Sequence, residues 1–137
     1  MVSVDTPVWS PSSGAAEWTC RLLQRHLTQT LYQLIRQRNV QLLGATRQEV
    51  LSGIREESEF RRIRDHLRGF QNVELDSEDY EEADRISHDC RQHGIADSSV
   101  DMLMCALSLR HRWEIFTTDR DFIDYARVVP LQMLIIR

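Results

Sequence analysis

Short apolar runs alternate with apolar residues at helical spacing along most of the chain, and that alternation restricts the fold more than any other feature. Met1–Val4, Val40–Leu43, Ile115–Thr117 and Leu131–Ile136 read as strands, with Val73–Leu75 as a further short one. Leu23, Leu27, Leu31, Leu34 and Ile35 recur as one helical face. A helix starting at Thr46 carries Val50, Leu51 and Ile54, and another spans Ser58 to Arg68 until Gly69 stops it. Ser77 is expected to cap a helix with a buried stripe of Tyr80, Ala83, Ile86 and Cys90, closed by Gly94. Asp97 or Ser98 opens a helix to Leu109, and Asp119 to Tyr125 reads as a turn and a short helix. Strands alternating with helices predict an α/β protein, a three-layer sandwich around a central, mostly parallel sheet. With no repeat, low-complexity tract or linker, residues 1–137 are expected to form a single domain.

In such sheets ligands bind beyond the carboxyl ends of the strands. Four acids fall where strands hand over to helices or turns: Asp5, Glu49, Asp101 and Asp119. Each has a purely structural reading. Asp5 can form a turn. Thr46-Arg47-Gln48-Glu49 fits a capping box, as does Ser98-Ser99-Val100-Asp101. Asp119 can cap the helix that follows, Asp121 can assist it or cap, and Asp97 competes with Asp101 from one turn earlier. What the structural readings do not explain is the shared location. Converging carboxylates repel unless a cation neutralises them, and oxygen donors without His or Cys select Mg²⁺ or Mn²⁺ over zinc.

All 17 basic residues are arginine. Mechanisms that need a lysine are therefore excluded, among them those of response-regulator receivers and haloacid-dehalogenase-like phosphatases. The segment Asp5-Thr6-Pro7 also lacks the second aspartate that the phosphatase requires. The net charge is −4, unevenly spread: 10 Arg face 8 acids in residues 1–75, and 7 Arg face 13 acids in residues 76–137. Arg55, Arg61, Arg62, Arg64 and Arg68 are interspersed with Glu56, Glu57 and Glu59 and are expected to pair among themselves, as Glu57 and Arg61 can at i, i+4. Arg120, between Asp119 and Asp121, is the better candidate for a phosphate contact, or it neutralises the acids at rest. Cys20, Cys90 and Cys105 form no CxxC pair and read as buried thiols. The five histidines are expected at the surface, and Trp9 and Trp113 in the core. No run approaches a membrane span, and the start MVSVDTPVW has no signal-peptide pattern, so the cytoplasm is expected.

Val4-Asp5-Thr6-Pro7-Val8-Trp9, Glu49-Val50-Leu51-Ser52-Gly53, Asp101-Met102-Leu103-Met104-Cys105-Ala106 and Thr117-Thr118-Asp119-Arg120-Asp121-Phe122 resemble, in order, the motifs of PIN-domain nucleases, above all the VapC-like toxins of type II toxin–antitoxin systems. The likeness covers essentially the whole chain, although Pro7 stands where Ser or Asn is common and Ser10 to Asn39 carries no matching motif. The resemblance implies a metal-dependent endoribonuclease with Asp5, Glu49, Asp101 and Asp119 as the metal-binding quartet. Asp121 would be auxiliary, with Thr6 and Thr117 as supporting hydroxyl residues. One cation would be held mainly by Asp5, Asp101 and Asp119, while Glu49 would serve a second or orient the water. It further implies hydrolysis of RNA, tRNA or rRNA, to 5′-phosphate and 3′-hydroxyl ends. A homodimer is implied, joined into a heterotetramer or larger assembly by a cognate antitoxin that covers the site. The competing reading is a non-catalytic PIN scaffold that binds RNA or a protein.

Overall fold

A computed structural model describes residues 1–5 and 29–134. Among these, β1 (Val2–Val4), β2 (Val40–Gln41), β3 (Glu114–Phe116) and β4 (Gln132–Met133) form one sheet in the order β2-β1-β3-β4, with every pairing parallel. Five helices accompany it: α1 (Gly44–Ser52), α2 (Glu57–Leu67), α3 (Ser77–Gln92), α4 (Ser99–His111) and α5 (Asp121–Val128). Residues 29–36 are helical as well. This is the α/β architecture expected from the alternation. Thr6, Pro7, Trp9, Cys20, Leu23, His26 and Leu27 lie outside the described residues.

β1 is central, with Val2 in register with Val40 on one side and Glu114 on the other. All three of its residues are buried, as a strand covered on both faces requires. The ladder runs one residue further, where the Asp5 amide donates to the Phe116 carbonyl at 3.0 Å. Asp5 thereby stands at the carboxyl edge of the sheet, next to the end of β3.

Three apolar clusters hold the layers. Val2, Val4, Leu34 and Phe116 join β1 and β3 to the 29–36 helix. The largest cluster packs Ala83, Ile86 and Cys90 of α3 against Met102, Met104 and Cys105 of α4, with Ile115, Phe122 and Tyr125. A third, around Leu42, Val50 and Leu67, belongs to β2, α1 and α2. Arg47 ties the last two elements together. Its guanidinium donates to the Leu67 carbonyl at 2.8 Å, the Phe70 carbonyl at 2.5 Å and Asn72 Oδ1 at 2.8 Å. It thus joins the Phe70 amide as a donor to the Leu67 carbonyl at the end of α2 and reaches the Phe70 carbonyl just beyond it.

Several local expectations are corrected. Val73–Leu75 forms no strand: a single parallel bridge pairs Leu42 with Asn72, and the Val73 amide donates to the Leu42 carbonyl at 3.0 Å. The last strand spans Gln132–Met133, and the Leu134 amide donates to the Ile115 carbonyl at 2.9 Å; Ile135 and Ile136 of the expected strand lie outside the described residues. The cap of α3 is Asp76 rather than Ser77. Asp76 accepts from the Asp79 amide at 3.0 Å, and Asp79 accepts from the Asp76 amide at 3.1 Å. Its inner stripe consequently starts at Asp79, and Tyr80 is 55% exposed instead of buried. Asp79, Ala83, Ile86 and Cys90 recur at the spacing of one helix face. Asp79 tolerates burial because Arg110 Nη1 of α4 lies 2.7 Å from both carboxylate oxygens. Burial acts to raise the Asp79 pKa, but the bonds from Arg110 and the Asp76 amide outweigh it and leave the carboxyl below its ordinary value. Trp113 is half-buried and stacks on exposed His111 with ring centroids 4.3 Å apart.

Candidate active site

The end of β1 and the segment after β3 converge on Thr117. Its hydroxyl donates to Asp5 Oδ2 at 2.7 Å and accepts from the Asp119 amide at 2.9 Å. One small side chain therefore sets the distance between two acids more than a hundred residues apart in sequence. Asp119 Oδ1 in turn accepts from the Asp121 amide at 2.9 Å, which orders the turn into α5. Asp101 enters from the first turn of α4. Its amide is capped by Ser98 Oγ at 3.2 Å, and its Oδ2 accepts from the Tyr125 hydroxyl at 3.0 Å.

Carboxylate oxygens of Asp101, Asp119 and Asp121 lie within 4.8 Å of one another. Asp5, only 3% exposed, is close enough for its charge to act on Asp101. Burial is the largest influence on Asp101. With the charges of Asp5 and Asp119 it outweighs the hydrogen bonds from Tyr125 and Ser98 and pushes the carboxyl up to about 6. A cation here would relieve the repulsion, and an all-carboxylate donor set fits a hard ion such as Mg²⁺ or Mn²⁺.

The tight group differs in composition from the expected quartet. Asp121, expected as auxiliary, belongs to it. Glu49 is not in that group and is exposed on α1. Its capping-box alternative also fails. α1 starts at Gly44 with Leu43 as a cap that makes no side-chain bond, so Thr46 is inside the helix and fully buried, its Oγ1 without a partner. For Asp101 half of the box is real, since Ser98 caps the Asp101 amide while the carboxylate reaches Tyr125. Asp97 is committed elsewhere, to Ser87 and, at 3.5 Å, to Arg91 of α3.

Arg120 is exposed at the cap of α5 and forms no ion pair among the described residues. The arginines of α2 are self-paired as expected: Arg61 with Glu57, Arg62 with Glu59, and Arg64 and Arg68 with Asp65. His66, His88, His93 and His111 are exposed. Tyr125 escaped the sequence reading. The signal available was its position four residues after Asp121, on the face of α5 that follows that acid. Among the described residues, no helix is long and apolar enough to cross a membrane.

The family model for the PIN domain matches residues 21–128. Among solved structures the chain is similar to FitAcB from Neisseria gonorrhoeae, with 18% identity, a TM-score of 0.72, and 98% of this chain and 97% of that one covered. It is similar to VapBC2 from Rickettsia felis bound to a DNA fragment from their promoter, at 11% identity and a TM-score of 0.68 over 98% of both chains. A toxin–antitoxin complex from Klebsiella pneumoniae is similar at 18% identity and a TM-score of 0.64, over 97% of this chain and 100% of that one. No curated protein matches the chain by sequence. At such identities these structural likenesses are likenesses of fold.

Proposed function

The chain belongs to the PIN-domain family, whose members are generally nucleases, and on that footing we propose that it is a divalent-metal-dependent endoribonuclease, the toxin of a toxin–antitoxin pair. The observation that carries this reading is the group of Asp101, Asp119 and Asp121 oxygens at the carboxyl edge of a parallel sheet, with buried Asp5 beside it. An antitoxin as partner is supported by the likeness to the toxin–antitoxin complex from Klebsiella pneumoniae.

In this proposal Asp5, Asp101 and Asp119 hold Mg²⁺ or Mn²⁺, with Asp121 assisting. When bound, the ion supplies positive charge at the scissile phosphate and polarises a water for attack. Thr117 keeps Asp5 and Asp119 in register. Glu49, on α1, binds a second ion or orients the water. Arg120 contacts the RNA backbone from the cap of α5, where it is exposed and not paired to the acids. Thr6 would stand next to Asp5 in the same role as in the family motif. The protein works in the cytoplasm as a homodimer that its antitoxin covers. The RNA is tRNA or rRNA.

The test is incubation of antitoxin-free protein with total RNA of its host in Mg²⁺, Mn²⁺ or EDTA, next to an Asp101→Asn variant. Discrete, metal-dependent fragments with 5′-phosphate ends, lost in the variant, are expected. Folded, metal-loaded protein that leaves all RNA intact would instead favour the non-catalytic scaffold.

A further inference from the structure

α5 carries Asp121 at its first residue and Tyr125 one turn later. The Tyr125 ring is 1% exposed and is held in the largest apolar cluster, edge-on to Phe122 with centroids 5.2 Å apart and planes at 77°. A ring gripped in this way fixes where its hydroxyl points. That hydroxyl meets Asp101 Oδ2 on α4 at 3.0 Å. Packing alone would be served equally by phenylalanine, so the hydroxyl calls for a separate explanation. A carboxylate on a short side chain can turn about its terminal torsion, and its two oxygens are equivalent until a neighbour distinguishes them. We infer that Tyr125 is a positioning residue that engages Asp101 Oδ2 and so presents the other oxygen, Oδ1, to the cation.

The inference rests on the reading of Asp101 as a metal ligand. Groups that orient a metal ligand commonly change affinity by about 10–100-fold when removed, because the ligand must then be ordered on binding. Here the ordering group is rigid and sits on the helix that also carries Asp121, so one element sets two members of the acidic group.

The experiment is calorimetric titration of Mn²⁺ into metal-free wild-type protein, Tyr125→Phe, Tyr125→Leu and Asp101→Asn, each with its urea unfolding curve in EDTA. Tyr125→Phe retains the ring and its packing on Phe122; Tyr125→Leu removes ring and hydroxyl together. The expected result is Mn²⁺ binding about 10-fold weaker in Tyr125→Phe, comparably weakened in Tyr125→Leu, and abolished in Asp101→Asn. Wild-type affinity in either Tyr125 variant, whatever its stability, overturns the inference and leaves the metal site standing. Tighter binding does the same. Absence of binding to the wild type removes the metal site itself, and the inference with it.

Discussion

Replacing Asp101 with asparagine should make the metal-free protein more stable at neutral pH while removing its activity. The folded-state pKa of Asp101 is raised from 3.8 to about 6. At pH 7.5 the folded protein therefore holds a carboxylate that would rather be protonated, whereas the unfolded chain ionises it freely. A raised acid pKa gives a penalty that is complete above the folded value and is relieved as pH falls towards the unfolded value. Each unit corresponds to about 1.4 kcal/mol, so a shift of this size gives roughly 3 kcal/mol before screening. Asp101 is partly open to solvent, which reduces the effect to about 1–2 kcal/mol. Asparagine keeps an oxygen to accept from Tyr125 and carries no charge. Urea unfolding in EDTA should show the variant more stable by that amount, or by about 3–8 °C in Tm. At pH 4.5 the advantage should shrink to roughly a third. Equal stabilities at pH 7.5, or an advantage that grows on acidification, would refute the electrostatic account of this site. Excess Mn²⁺ should reverse the order, since only the wild type gains from binding.

Arg110→Leu strands the buried Asp79 carboxylate and should cost about 2–4 kcal/mol in urea unfolding, below the full loss for a wholly buried pair because Arg110 itself is half exposed. The wild type should also lose stability on acidification below about pH 4, since the depressed pKa of Asp79 stabilises the fold only while the carboxyl is ionised. Thr117→Val removes the donor to Asp5 and the acceptor for the Asp119 amide and should lower RNA cleavage by about 10-fold or more with a loss of about 1–3 kcal/mol in stability. Burial raises the thiol pKa of Cys90 and Cys105, so peptide mapping after iodoacetamide at pH 7.5 should find both unmodified in native protein and alkylated in urea.

The sheet and its helices were legible because short apolar runs alternate with apolar stripes at helical spacing. What local pattern could not convey was which of two neighbouring residues faces inward. Tyr80 looked like the interior residue of α3, yet Asp79 holds that place, because a cap at Asp76 and an arginine 31 positions away together make a buried carboxylate tolerable. The same limit applied at Thr46, where T-x-x-E matched a capping box but Gly44 had already started the helix. Asp5 and Asp119 could be named from their places after β1 and β3, whereas Asp101 follows no strand and stands in the first turn of α4. Thr117 and Tyr125 each lie close in sequence to one acid, Asp119 and Asp121, but the acids that they hold, Asp5 and Asp101, are 112 and 24 positions away. Glu49 shows the converse: its motif position was readable, but the tight group of carboxylates takes in Asp121 in its place.

The Arg47 clamp gives the molecule a divided mechanical character. Asp5 and Asp119 are indexed to each other by the sheet ladder and a single threonine, so relative displacement means tearing strands apart. Glu49 rides two residues beyond Arg47 on a helix whose bearings are the end of α2 and a small cluster of its own. The guanidinium thus links the helix that carries Glu49 to the end of α2, whereas Asp5 and Asp119 are linked through strands and Thr117. A substitution at Arg47 therefore acts on α1 and α2 and leaves the bonds between Asp5, Thr117 and Asp119 in place.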